Sequence, residues 1–353
     1  MILGPSPLFG RSAVYKGAIR HLAFNTKTSS SGGVVTIDHK TRASADGKRW
    51  YPLTISGDLA KATSSAKTEG AFQPFQVIKF KGKHYLFGAI WKGTSVAEAA
   101  VFSSLDKRRW DKETTPYPVE GTLGSDAFMA VAANGDYLVG LKPGGQIIWT
   151  DGLTWSGRND LPLSGAGYRA YVMTGATGGF AIGGNGPSNT VIISAPTPGG
   201  AWAVRSQPFG INGITGAASG DVALVFAHYS PTNSPNQLVA APLANLTSWT
   251  VVPFIANRRV TKAAYAAGRW FAGSTDVWIT ATAGAGPWTD AAAKPWAEGE
   301  TGAIRSLYHD GAAWIVHYDT GKLARSEDNG GAWDRPANTG LAADANYIAA
   351  YLG

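Results

Sequence analysis

Three kinds of residue in this chain could do chemistry: acids outside obvious turns, histidines, and serines or lysines in glycine-rich settings. Glu98, Glu120, Asp126, Glu298 and Glu300 are the free acids. A retaining glycosidase needs two such groups about 5 Å apart at one mouth of a cavity. Their neighbourhoods read as loops, so the expectation is solvated carboxylates. The six histidines (His21, His39, His84, His228, His309 and His317) show no close metal-ligand spacing on one element. No metal and no cofactor is expected. No Gly-x-Ser-x-Gly elbow joins a strand to a helix. Asp319-Thr320-Gly321-Lys322-Leu323 lacks the earlier glycine and the following hydroxyl of a phosphate loop. The expectation is therefore a protein without catalytic residues.

Binding chemistry has better candidates. Trp91 (in Ile90-Trp91-Lys92-Gly93) and Trp296 (in Lys294-Pro295-Trp296-Ala297) read as loop aromatics that could stack on a sugar or anchor an interface. The basic residues Lys79, Lys81 and Lys83, and then Lys107, Arg108 and Arg109, form two runs. The first run alternates charge with apolar residues, as a strand exposed on one side would. The second falls in a turn. Residues 1–120 carry 18 lysines and arginines against 9 acids, and the remainder 13 against 15, so the whole net charge of +7 arises in the first third. A docking face for an acidic partner is one reading of that sector, and solubility is the other. Nucleic acid is not expected, because ordered stacking aromatics do not accompany the charge.

Trp50, Trp110, Trp155, Trp202, Trp249, Trp288 and Trp333 each follow a turn, at gaps of 60, 45, 47, 47, 39 and 45 residues. That period suits four-stranded propeller blades. Hairpin signals fill the units: Asn134-Gly135 before Tyr137-Leu138-Val139-Gly140, Gly268 before Arg269-Trp270-Phe271-Ala272, and Asp310-Gly311 before Ala313-Trp314-Ile315-Val316. Alanine-rich stretches such as Ala263–Ala267 are inner strands, since small side chains fit the crowded axis. No sustained helical period occurs, so the reading is nearly all-β. We expect a single domain over residues 1–353, a seven-bladed β-propeller of four-stranded antiparallel blades. The C-terminal strand, Asn346-Tyr347-Ile348-Ala349-Ala350-Tyr351, completes blade 1. The 60-residue gap predicts an insertion near Gly57–Gly70 or Trp91–Ala100. Trp149, Trp270, Trp278 and Trp314 are expected in the core.

The turns before the repeat tryptophans resemble the Asp-box, the bacterial-neuraminidase repeat Ser-x-Asp-x-Gly-x-x-Trp. Ser326-Glu327-Asp328-Asn329-Gly330-Gly331-Ala332-Trp333 matches in full. Ser44-Ala45-Asp46-Gly47-Lys48-Arg49-Trp50, Ser104-Leu105-Asp106 with Trp110, and Asp151-Gly152 with Trp155 are one residue shorter. Blades 4, 5 and 6 keep the tryptophan without the aspartate. The resemblance implies hairpins between third and fourth strands, in which Ser and Asp bind turn backbone and Trp caps a small core. Asp46, Asp106, Asp151 and Asp328 are then structural. Sialidase-like enzymes carry an Arg-Ile-Pro type motif near the N-terminus, whereas this chain has Ile19-Arg20-His21. They also resemble six-bladed propellers, against seven here. The layout is similar to photosystem assembly propellers too, but their regular Thr-x-Asp-Gly-Gly box is mostly absent.

Together these readings point to a non-catalytic binding or assembly propeller. A bacteriophage virion protein (tail, collar or receptor-binding part) fits the alanine- and glycine-rich chain without cysteine, whose opening shows no basic n-region followed by an apolar stretch. Its expected partners are other protein subunits, with a cell-surface glycan as the alternative. Its expected location is the virion, assembled in the host cytoplasm, or else extracellular. The alternatives in function are a lectin-like propeller and a sialidase-like glycoside hydrolase. No run of about 18 apolar residues occurs, so no membrane span is expected.

Overall fold

The structure is a computed structural model that describes residues 17–31, 34–63, 70–91, 96–116, 120–122, 128–163, 169–185, 190–205, 213–228, 237–253, 260–275, 277–297, 302–336, 341 and 346–353. Seven antiparallel sheets follow one another around a central channel. Blade 1 is built from both ends of the chain. Its inner strand is Asn346–Tyr351, and His21–Ser31, Val34–Ser44 and Tyr51–Pro52 follow outward. His21 pairs with Tyr351 and Phe24 with Ile348, so the C-terminal strand closes the ring as expected. That strand lies between the inner strands of blades 7 and 2.

Blades 3 to 6 repeat the plain four-strand pattern. In blade 2 the strands Phe72–Phe80, Lys83–Trp91, Val96–Ser104 and Arg109–Lys112 are supplemented by Ser56–Gly57, parallel to Arg109–Trp110, and by Glu120–Thr122, antiparallel to Val96–Glu98. The extra chain of the first gap includes the short helix Asp58–Thr63, inside the first of the two expected windows. Blade 7 pairs Ile304–His309, Trp314–Tyr318 and Leu323–Ser326, and its fourth strand is reduced to a bridge between Arg325 and Asp334.

Burial follows position in the blade. Second strands lie between neighbouring sheets, so Leu138–Lys142 and Trp314–Tyr318 are buried at every residue. Fourth strands such as Tyr51–Pro52 and Thr289–Asp290 are exposed and two residues long, which leaves little open edge for a foreign strand. Trp270, Trp278 and Trp314 are fully buried, and Trp149 is partly so.

The repeat tryptophans join each blade to the one before it. Trp110 of blade 2 meets Phe24 of blade 1 edge-on at 5.9 Å. Trp155 of blade 3 meets Tyr85 and Phe87 of blade 2 at 6.0 and 6.2 Å. Trp288 of blade 6 lies 5.9 Å from Phe226 of blade 5, and Trp333 of blade 7 lies 6.0 Å from Phe271 of blade 6. Trp202 and Trp249 make the same step onto aliphatic neighbours, with Val139 and Leu141 in one cluster and Ala181 in the other. Trp50 of blade 1 completes the circle on His317 of blade 7, at 5.4 Å. Gly330 shows how tight the fit is. Its φ is +88°, and a Cβ there would stand 2.1 Å from Phe271 Cζ.

Deleting a fully enclosed wedge should therefore cost much more than deleting a half-open one. Trp110 is fully buried and Trp155 only partly. Trp110→Ala is expected to lose about 3–5 kcal/mol in urea unfolding, and Trp155→Ala less than half of that. Equal losses would contradict the wedge assignment.

Candidate functional site

The hairpins between third and fourth strands set the outer rim. In blade 1 the Ser44 hydroxyl donates to Asp46 Oδ1 (3.0 Å) and accepts from Gly47 N (2.9 Å). Asp46 Oδ1 then takes the amides of Lys48 and Arg49. Blade 2 repeats this with Ser104, Asp106 and the amides of Lys107, Arg108 and Arg109. Lys107 stands where blade 1 has Gly47 and takes the same left-handed conformation, at φ +66°. In blade 7, Ser326 and Asp328 bind the amides of Gly330 and Ala332. In blade 3, Asp151 binds Leu153 and Thr154, and Thr150 replaces the serine. These amides hold the Asp151 and Asp328 carboxyls below the usual carboxylate range. In Asp46 and Asp106 burial pushes upward first and is outweighed by the same bonds. Blade 5 uses Asn245 on Thr247 N in the aspartate's place, an equivalence that its side-chain oxygen could have signalled. Five indoles close their own turns: Trp50, Trp110, Trp202, Trp249 and Trp288 donate to carbonyls three or four residues earlier.

Trp155 departs from that pattern, and the departure opens a site. Its indole N–H reaches across to Glu113 Oε2 of blade 2 at 3.2 Å. Lys83 Nζ holds the other oxygen of Glu113 at 2.9 Å. Burial works to raise the Glu113 carboxyl, but hydrogen bonds from Ser103, Lys83 and Trp155 outweigh it and leave the group below its ordinary range. It is ionised at neutral pH and poorly placed to donate a proton. Around this trio lies a groove of about 700 Å³ between the rim turns of blades 2 and 3. Leu105 and Leu153 stand on its two lips, 76% and 89% exposed. Single exposed leucines are ordinary, but here two stand on adjacent turns beside one groove.

The six basic residues singled out from sequence are mostly engaged within the fold. Lys79–Phe80 ends one strand, Lys81-Gly82 is a hairpin tip, and Lys83 begins the next strand, so the run is not one alternating strand. Backbone pairing across the tip decides this, and residue alternation alone does not reveal it. Lys81 donates to Asp151 O at 2.9 Å. Lys107 Nζ donates to Ile19 O and Gly353 O, both at 2.6 Å, and so ties the segment before the first strand of blade 1 and the C-terminal residue to blade 2. Arg109 pairs with Asp111 at 3.0 Å. Arg108 is half-buried, and Lys79 is exposed.

Trp91 ends the strand Lys83–Trp91 and is not in a loop; its indole N–H is enclosed with no acceptor among the described residues. Trp296 is half-buried against Trp278 (6.3 Å) and Tyr318 (6.4 Å). Glu98 is also a strand residue, buried and 2.8 Å from Lys112, because the long third strand of blade 2 carries it inward. Glu120 lies in the short strand beside it. Asp126, Glu298 and Glu300 lie outside the described residues.

Blades 7 and 1 meet in a second polar cluster, which the sequence reading did not assemble. The Tyr308 hydroxyl lies 3.0 Å from His317 Nε2 and 3.4 Å from His21 Nδ1. His21 Nε2 is 3.5 Å from Asp310, which Arg325 holds at 3.1 Å while its Nε reaches Glu327. Burial lowers His21 to about 4 and His317 to about 3, and raises Tyr308 well above the phenol range. All three are therefore neutral at pH 7, which suits a buried contact better than proton transfer. Among the described residues no group of three or more His, Cys, Asp or Glu could hold a metal ion, and no helix is long and apolar enough to cross a membrane.

No family model and no curated protein matches the sequence. Solved structures match in shape. "YCF48 bound to D1 peptide" has a TM-score of 0.51 at 12% identity, over 80% of this chain and 95% of that one. The computationally designed protein Ika8 also gives 0.51, at 11% identity over 93% and 96%. A prolyl endopeptidase gives 0.51 at 9% identity, over 90% of this chain and 48% of that one. These likenesses show the fold. This chain is a seven-bladed β-propeller.

The histidine seam should make stability fall on acidification. Both folded values lie below the free value of 6.5, so from pH 6.5 downward the unfolded chain takes up protons that the fold refuses. Stability is full above pH 6.5 and declines toward pH 3 to 4, by roughly 3 kcal/mol from His21 alone. His317→Phe puts into blade 7 the residue type that Trp288 and Trp333 meet, and should flatten the melting-temperature slope between pH 6.5 and 4.5. An unchanged slope would show that the seam does not titrate as described.

Proposed function

We propose that this chain is a non-catalytic binding and assembly propeller, one domain built of degenerate Asp-box repeats, and that it docks a protein partner in the groove between blades 2 and 3. The observation that carries the reading is the pair Leu105 and Leu153, exposed on neighbouring turns on either side of Trp155. An apolar lip on each side supplies buried area, while Trp155 and the Glu113–Lys83 pair supply an orienting floor. The lining balances Lys83, Arg109 and Lys112 against Asp106, Asp111 and Glu113, so a mixed-charge protein surface suits it better than a polyanion. The Asp-box reading is supported by the shared Ser–Asp hydrogen bonding of blades 1, 2 and 7. A propeller of similar fold holds a peptide in the YCF48 complex, so the architecture is compatible with such a ligand.

The absence of catalysis is supported by the engagement of the described acids. Glu98, Glu113, Asp310 and Glu327 are each in ion pairs, and the rim aspartates are bound to turn amides. The setting we propose is a bacteriophage particle, in a tail, collar or receptor-binding position, reached in the host cytoplasm. The alanine- and glycine-rich composition without cysteine supports it.

A photo-crosslinking amino acid placed at Leu153 should join the protein to another structural subunit in purified particles. With the crosslinker at Leu153, Leu105→Ser should cut that yield at least fivefold with little change in melting temperature. Absence of the protein from purified particles would overturn the virion assignment. Binding on a glycan array that Trp155→Ala abolishes, or glycosidase turnover, would overturn the protein-docking assignment.

A further inference from the structure

The central channel carries a feature independent of the rim. Every blade lends residues at or beside its inner strand to a cavity of about 550 Å³. Around most of the ring these are neutral: Phe75 and Gln76, Met129, Thr215, Thr261. Two are cations, Lys262 of blade 6 and Arg305 of blade 7, on adjacent inner strands. Among the described residues no carboxylate belongs to the lining.

Arg305 reaches the lumen through a local irregularity. Ile304 pairs with Tyr318 and Ser306 with His317, so Arg305 is the extra residue of a β-bulge. Bulges re-aim a side chain at the cost of a ladder bond. Its guanidinium touches Asp319 loosely, Nη2 to Oδ2 at 3.6 Å, and Asp319 is also committed to the amide of Ala303. The Arg305 Nε–H is enclosed and meets no acceptor among the described residues. Lys262 has neither a hydrogen bond nor an ion pair among them. Its side chain is open to the lumen yet walled by protein all round, and this poor hydration, with the Arg305 charge, lowers its ammonium from the usual lysine range.

Two like charges side by side in a confined space oppose folding. Elsewhere cations facing a cleft or the core meet carboxylates: Lys83 with Glu113, Lys112 with Glu98, and the buried Arg325 with Asp310. Here, among the described residues, Lys262 has no carboxylate partner and Arg305 has only its loose contact with Asp319. We propose that the channel between blades 6 and 7 is a binding site for a small oxyanionic ligand, a phosphate or carboxylate group held jointly by Lys262 and Arg305. The guanidinium offers forked donors and the ammonium a point charge, and enclosure within the lumen strengthens both. Ligands of several charges and few atoms fit the volume.

Calorimetric titration of the full chain at low salt, with pyrophosphate and separately with citrate, tests this directly. Saturable one-to-one binding of either is expected, weakened at least tenfold in Lys262→Gln and in Arg305→Gln. Pyrophosphate alone would assign a phosphoryl ligand, and citrate alone a carboxylate ligand. Without ligand, Lys262→Glu should raise the melting temperature, by pairing with Arg305 inside the lumen, and abolish binding. No saturable binding of either anion would overturn the proposal. So would a Lys262→Gln, Arg305→Gln double variant that folds and binds as tightly as the parent.

Discussion

An indole laid across a sheet boundary is the interaction on which the rest of this molecule depends. Four-stranded blades cannot bury both of their faces alone, and each must lean on a neighbour. Trp110 on Phe24, Trp155 on Tyr85 and Phe87, Trp288 on Phe226 and Trp333 on Phe271 all link a rim hairpin to the second strand of the preceding blade. Edge-on aromatic contact adds to the area removed from water and fixes the angle between sheets. The ring then closes by the same step, from Trp50 to His317.

The rim turns keep those indoles in place. Serine and aspartate saturate turn amides, and five indole N–H groups return to turn carbonyls, so five of the seven tryptophans are anchored to their own turns at the polar end. Relaxing one anchor frees a side chain for other work. Trp155, whose N–H goes to Glu113, sits in the groove that we assign to docking. At the closing seam, histidines and a tyrosine hydroxyl replace the apolar contacts used elsewhere. The seam is therefore the boundary most sensitive to protons.

How much of this was legible in the sequence depended on how local each signal was. Seven tryptophans behind turns carried the blade count, and the Asn346–Tyr351 segment with no blade after it carried the closure. Lys81-Gly82 reads as part of a strand until the pairing of Lys79 with His84 shows a hairpin tip. Glu98 reads as a loop acid until the nine-residue strand Val96–Ser104 places it beside Lys112. Lys107 looks like a rim cation, yet its ammonium is held by the carbonyls of Ile19 and Gly353. The candidate sites were the least legible, because Leu105 with Leu153, and Lys262 with Arg305, meet only through the ring and share no motif. A bulge such as that at Arg305 leaves no mark in residue type.

A double-mutant cycle between Trp110 and Phe24, read by urea unfolding, tests the central claim most directly. If the indole wedges blade 2 against blade 1, the two alanine substitutions should be strongly non-additive, with a coupling of about 1 kcal/mol or more. The pair Trp110 and Phe271, on separate boundaries, should add without coupling. Additivity within about 0.3 kcal/mol for Trp110 and Phe24 would contradict the account.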